Sequence, residues 1–171
     1  QENKAPVIAY TYSEPTAFYE YMLATARLAR ERGLRNVVIS AGFINPEPLR
    51  ELCDTVDGIK IDLKGYDEEF YREVCGAELG PVLEALRTIH ESGVHLEIVN
   101  LVAPTLNDNL EQLRALARWV ASELSPDTPL HFSRFHPQYK LKNLPPTPVE
   151  TLERALLGAV GIHKRGTRGW Y

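Results

Sequence analysis

The chain has 171 residues, 44% of them hydrophobic and 25% charged, a balance that fits one globular domain and excludes disordered and collagen-like architectures. Basic side chains number 19 against 23 acidic ones, a formal charge of −4, so nucleic acid is not expected as a partner. No apolar run approaches the roughly 18 residues that cross a bilayer, and the polar start Gln1-Glu2-Asn3-Lys4 lacks a signal-peptide layout, so a cytoplasmic protein without membrane contact is expected.

The first apolar, β-branched run, Val7 to Tyr12, reads as a strand. Pro15-Thr16 then opens a helix on which Phe18, Tyr21, Met22, Thr25, Leu28 and Ala29 recur at three-to-four spacing, and Gly33 closes it. A second strand, Asn36 to Ser40, leads to a shorter helix from Pro46 to about Asp54. The third strand, Gly58 to Leu63, is followed by a small helix over Glu68 to Val74 and a longer one over Pro81 to Ser92, stopped by Gly93. His95 to Val102 forms the fourth strand. Asn107-Asp108-Asn109 caps a helix from Leu110 to Glu123 with an apolar stripe of Leu113, Leu116, Ala117 and Val120. Leu130 to Phe135 is the fifth strand, and the Pro-rich stretch 144–148 reads as a rigid loop into a last helix, Val149 to Ala159. Residues 161–171 read as a basic, Gly-rich tail that disorder would suit.

Strands alternating with helices demand parallel pairing, because each helix returns the chain to the same end of the sheet. The expected class is α/β: an open doubly wound sheet or a partial βα barrel. Five βα units cannot complete a barrel that typically takes about 250 residues.

Side chains alternate faces along a strand, so Ile59, Ile61 and Leu63 point one way while Lys60, Asp62 and Lys64 point the other. Strands covered by helices on both sides should be apolar on both faces. Three successive charges therefore mark a polar face, with Asp62 and Lys64 at the C-terminal end where βα folds keep ligands. Ser13-Glu14-Pro15, Gly42-Phe43, Asn100, Pro104 and Arg134-Phe135-His136-Pro137 stand at the ends of the other strands. A polar rim carrying Glu14, Asp62, Lys64, Arg134 and His136 is expected from this placement. Duller accounts stand beside it: a charged edge strand, a first-turn helix acid at Glu14, and a loop histidine at His136. His90, His95, His131 and His163 read as structural or solvated. No Gly-rich phosphate loop follows a strand, and no G-x-S-x-G elbow occurs.

The ordered stretches Ala9-Tyr10-Thr11-Tyr12-Ser13-Glu14-Pro15-Thr16, Ile61-Asp62-Leu63-Lys64-Gly65, Leu101-Val102-Ala103-Pro104-Thr105-Leu106-Asn107-Asp108 and Ser133-Arg134-Phe135-His136-Pro137 resemble the radical S-adenosylmethionine superfamily. Within it the likeness is to the group related to glycyl-radical (pyruvate formate-lyase) activating enzymes of the AmmeMemoRadiSam system, over roughly residues 7–157. The resemblance implies a partial βα barrel, the cofactor S-adenosylmethionine and a [4Fe-4S] cluster that reductively cleaves it to a 5′-deoxyadenosyl radical. It makes Ser13-Glu14-Pro15 the counterpart of a Gly-Gly-Glu-Pro element that binds the methionyl ammonium. Asp62 and Lys64 match an Asp-Leu-Lys segment near the ribose and carboxylate, and His136 matches a strand end near the adenosine; Arg134, in the same stretch, is a further cofactor-binding candidate.

One departure is large. The family holds its cluster on a C-x3-C-x2-C loop, whereas this chain has only Cys53 and Cys75, far apart, which read as structural thiols. No metal site is expected, and the cluster-bearing unit is expected to precede Gln1. Two readings follow: the core of a radical S-adenosylmethionine enzyme, or a cluster-less cofactor-binding or scaffold domain. A lesser third is a barrel lyase using Lys60 or Lys64 as a Schiff-base nucleophile. Partners expected beyond the cofactor are a protein substrate, or a second copy paired through the open edge of the first strand.

Overall fold

The computed structural model describes residues 5–159, 162 and 169–170. In chain order the elements are β1 (Val7–Tyr10), a 3-10 turn (Pro15–Phe18), α1 (Tyr19–Glu31), β2 (Arg35–Ser40), α2 (Pro46–Cys53), β3 (Gly58–Asp62) and α3 (Glu68–Phe70), which runs into a π-helical turn (Tyr71–Cys75). Then come α4 (Leu79–Ser92), β4 (His95–Val102), α5 (Leu110–Trp119) with a π-helical turn (Val120–Leu124), β5 (Leu130–Arg134), α6 (Val149–Ala159) and β6 (Gly169–Trp170). The chain forms two compact units, one of residues 1–61 with 81–96, the other of 62–80 with 97–171.

In the first unit β1 pairs parallel with β2 (Val7 opposite Arg35, Tyr10 opposite Val38), and β2 with β3 (Val37 opposite Gly58, Ser40 opposite Ile61). The spacing of Met22, Leu23, Ala26 and Ala29 puts the apolar stripe of α1 inside. Gly33, at φ +74°, stops the helix: its N–H reaches the Arg30 carbonyl and the Leu34 N–H the Ala29 carbonyl, both 3.0 Å, which closes a Schellman motif. Fully buried Asn36 joins three elements. It accepts from the Tyr10 hydroxyl (2.9 Å) and donates to the Ala26 carbonyl (3.0 Å), while its backbone N–H meets Asp57 (2.7 Å). Leu49, Leu52, Val82, Leu86 and Ile89 fill the core beside it.

In the second unit β4 pairs parallel with β5 (Ile98 opposite Leu130, Val102 opposite Arg134), and β5 with β6 (Phe132 opposite Gly169). Ile98, Val102, Leu116, Ala117, Leu130 and Phe132 form its core. The Pro-rich loop is fixed, as its composition suggests, but through Thr147. That residue is fully buried; its hydroxyl donates to the Val102 carbonyl and accepts from the Phe135 N–H, and its own N–H returns to the Phe135 carbonyl. β6 falls inside the stretch read from sequence as a Gly-rich tail. The rest of that stretch, Ile162 excepted, lies outside the described residues. Among the described residues no helix is long and apolar enough to cross a membrane.

Candidate functional site

Beyond β1 the chain turns at Tyr12, which is 90% exposed and sits at φ +48°, a region glycine occupies without strain and other residues rarely. Two residues on, Glu14 is the N-cap of the 3-10 turn, with Pro15 at its first position, where a missing N–H costs nothing. The Glu14 carboxylate is tightly held. Oε1 accepts from the Ser40 hydroxyl (2.7 Å), the Thr16 hydroxyl (3.1 Å) and the Thr16 N–H (3.3 Å), and Oε2 from the Ala41 N–H (2.8 Å). Ser40 is itself oriented by accepting from the Gly42 N–H (3.0 Å). Gly42 stands at φ +78°, and a Cβ there would come within 3.0 Å of Ile61 Cγ2, so the turn after β2 needs glycine.

All four donors to Glu14 are neutral. The carboxylate is half-buried and forms no ion pair among the described residues. An acid positioned by dipoles and left without a cation suits a ligand ammonium, which forms stronger, charge-assisted hydrogen bonds. Ser40 and Ala41 were not singled out from sequence, and Thr16 only as the residue that opens the helix with Pro15 and ends a family stretch. The strand-end argument named Gly42-Phe43 after β2 and stopped short of the serine that closes the strand. Ser13 is exposed beside Glu14.

In the second unit the alternation expected after Gly58 holds: Leu63 is fully buried, and Asp62 and Lys64 are half-exposed on the other face. Lys64 Nζ lies 3.4 Å from Asp62 Oδ2, a loose pair at the end of β3. The backbone beneath them is firmly held. Asn100 Nδ2 donates to the Leu63 carbonyl (2.7 Å), Asn107 Nδ2 to the Lys64 carbonyl (2.6 Å), and the Lys64 N–H to the Tyr71 hydroxyl (3.0 Å). A Cβ on Gly65 would come within 2.7 Å of the Phe70 ring. Asn100, read as a rim group, is instead buried and braces the neighbouring strand end. Asn107, read as part of a helix cap, does the same, while Asn109 caps α5.

Arg134 is committed in part, since its Nε donates to the Thr147 carbonyl (2.7 Å). His136 is exposed two residues beyond β5. The residues present do not fit an iron–sulfur cluster. Cys53 is buried, which pushes its thiol pKa up; Cys75 is exposed, and the partial desolvation of its thiol raises its pKa while Lys64 lowers it in part. Among the described residues no group of three metal-ligating side chains occurs.

A family model described as the Radical SAM superfamily matches residues 1–120. An uncharacterized protein of Methanocaldococcus jannaschii is 50% identical over 150 residues, 88% of this chain and 44% of that protein. The isethionate sulfite-lyase activating enzyme of Desulfovibrio desulfuricans is 28% identical over 131 residues, 72% of this chain and 42% of the enzyme. The crystal structure of a domain of pyruvate-formate lyase-activating enzyme from Bacteroides vulgatus superposes with a TM-score of 0.82 at 15% identity, covering 96% of this chain and 98% of that domain. That likeness shows the fold class: α/β, of the partial parallel βα-barrel kind. The chain spans about half the length of the curated relatives it matches.

Proposed function

The chain belongs to the Radical SAM superfamily, whose members use S-adenosylmethionine and a [4Fe-4S] cluster, and from that membership we propose that it is the cofactor-gripping core of an enzyme of this kind. Glu14 takes the methionyl ammonium of S-adenosylmethionine, with Ser13 lining the approach. Asp62 accepts from the ribose hydroxyls, Lys64 pairs the carboxylate, and Arg134 and His136 serve the adenosine. The observation that carries this reading is the Glu14 carboxylate, held by four neutral donors and, among the described residues, unmatched by a cation. In a holoenzyme that carries the cluster, one electron from it would break the C5′–S bond of the bound cofactor, releasing methionine and a 5′-deoxyadenosyl radical. The cysteines that hold the cluster are proposed to lie outside these 171 residues, which include only Cys53 and Cys75.

Calorimetry of this chain with S-adenosylmethionine tests the proposal without requiring the cluster. Saturable binding is expected, and Glu14→Gln should weaken it by about tenfold to a hundredfold, the roughly 1.4–2.8 kcal/mol of a lost charge-assisted bond. Silence at millimolar ligand, or equal affinity of the variant, overturns it.

Three finer points belong to the same proposal. A protein substrate is supported by the likeness to a lyase activating enzyme, and a cytoplasmic setting by two free thiols. The third is self-association through β1. β1 pairs with β2, and Val7 is 40% exposed.

A further inference from the structure

The first unit contains a cleft that no part of the cofactor reading uses. It has a volume of about 600 Å³ and lies between the start of α1, the loop after β2 and the starts of α2 and α4. That size is in the range of small-molecule sites. Its apolar walls are Tyr19, Phe43, Ile44, Pro48 and Pro81. Tyr19 is a fixed wall: its hydroxyl donates to the Pro48 carbonyl at 2.8 Å and lies 3.2 Å from Glu51, which ties α1 to α2. Phe43 is 53% exposed at the mouth. A smaller cavity of about 200 Å³ shares Ile44, Asn45 and Pro81 with the cleft and extends it toward Leu49 and Ala85.

The polar groups in the cleft are Glu20, Asn45 and Thr16. Glu20 forms no hydrogen bond or ion pair among the described residues, unlike Glu51 on the facing helix, which pairs with Arg27 at 2.6 Å. Asn45 occupies the N-cap position of α2, yet its carboxamide makes no cap bond. Pro48 at the third helical position has no N–H to offer, so the usual acceptor role of an N-cap amide is unused. Thr16 spends its hydroxyl proton on Glu14 and keeps acceptor capacity toward the cleft. Among the described residues no lysine or arginine lines the space. Acceptors with one net negative charge, set among two aromatic rings, select a cation: ammonium N–H groups satisfy the acceptors, and ring faces attract positive charge.

We infer that this cleft binds a small organic monocation, an ammonium group on an apolar or aryl stem, with the charge at Glu20 and Asn45 and the stem against Tyr19, Phe43 and Pro48. The inference stands apart from the cofactor reading, because it uses Glu20 and not Glu14.

The probe is 2-phenylethylamine, with neutral 2-phenylethanol as its isostere, titrated into the chain by calorimetry and amide-resolved NMR. The amine is expected to bind at least tenfold more tightly than the alcohol and to shift the Asn45 side-chain resonances. Glu20→Gln should cut amine affinity about tenfold and leave the alcohol unaffected. Glu47→Gln, an exposed acid on α2 outside the cleft, should change neither. Equal binding of amine and alcohol, no binding, or an indifferent Glu20→Gln overturns the inference. Loss of amine binding in Glu14→Gln with retention in Glu20→Gln overturns it too, by placing the amine on Glu14 instead. Retained amine binding with no S-adenosylmethionine binding would remove the cofactor reading alone.

Discussion

Asp62 and Lys64 were visible in the sequence because a period of two sets them against Ile59, Ile61 and Leu63, and the charges break a rule for helix-covered strands. The groups that hold their backbone were not visible in this role. Asn100 and Asn107 reach Leu63 and Lys64 across long sequence separations, and Tyr71 reaches Lys64 across an irregular seven-residue stretch, and a single chain carries no periodicity for such contacts. Tyr71 shows what the brace costs to remove. It is 2% exposed, and burial pushes its hydroxyl up from near 10 to about 12. Tyr71→Phe leaves the Lys64 N–H without its acceptor and should lower stability by about 1–3 kcal/mol near neutral pH. The pH dependence has a definite sign. A phenol with a folded pKa above its unfolded one gives stability that is complete below about pH 10 and declines as pH rises toward 12, because the unfolded chain sheds the proton first. Phenylalanine cannot ionise, so urea midpoints of the wild type and variant should converge between pH 8 and pH 11. A constant gap would show that Tyr71 is not protected as the structure has it. Tyr19, also raised to about 12 chiefly by burial, gives both proteins a common residual decline.

Among the elements, helices that end on local chemistry were legible: Gly33 and Gly93 stop α1 and α4 at positive φ, and Val149–Ala159 begins where the Pro-rich stretch ends. The two π-helical turns, after α3 and after α5, had no such signal, since both hydrogen-bond patterns suit the same residues. β6 was missed for a related reason: two residues of a Gly-rich stretch are ladder partners of Phe132 and Ser133, and a strand so short has no alternation to read. Tertiary context decided all three. The loop before α6 is the clearest case. Its prolines predict stiffness, but its position depends on one hydroxyl that serves two buried backbone groups, the Val102 carbonyl and the Phe135 N–H. Thr147→Val keeps the shape and strands both, so a loss of about 2–5 kcal/mol is expected in chemical denaturation. Hydrogen exchange should localise the damage, with the Phe135 amide losing protection while Asn36 and Leu49 in the first unit keep theirs. Uniform loss across both units would contradict the local anchoring described for Thr147.

For the whole molecule, the proposal of self-association turns on the edge of β1. The Pro6 carbonyl accepts from the Arg35 N–H at 3.0 Å, and parallel ladders use alternate residues of a strand. Ile8 and Tyr10 are thereby turned toward β2, and the backbone groups of Val7 and Ala9 face away from it. Both residues are exposed, and neither carries the charge that usually protects an edge from pairing. A net charge of −4 supplies only weak long-range repulsion at physiological salt, where the Debye length is about 8 Å. Concentration-dependent association of the isolated chain is therefore expected in light scattering, with little sensitivity to added salt. Ala9→Pro removes an outward N–H without breaking a bond to β2, and should shift the chain toward monomer while its thermal midpoint stays within a few degrees. A wild type that remains monomeric at all concentrations would show that this edge does not template a second copy. Association that persists unchanged in Ala9→Pro would move the contact to another surface.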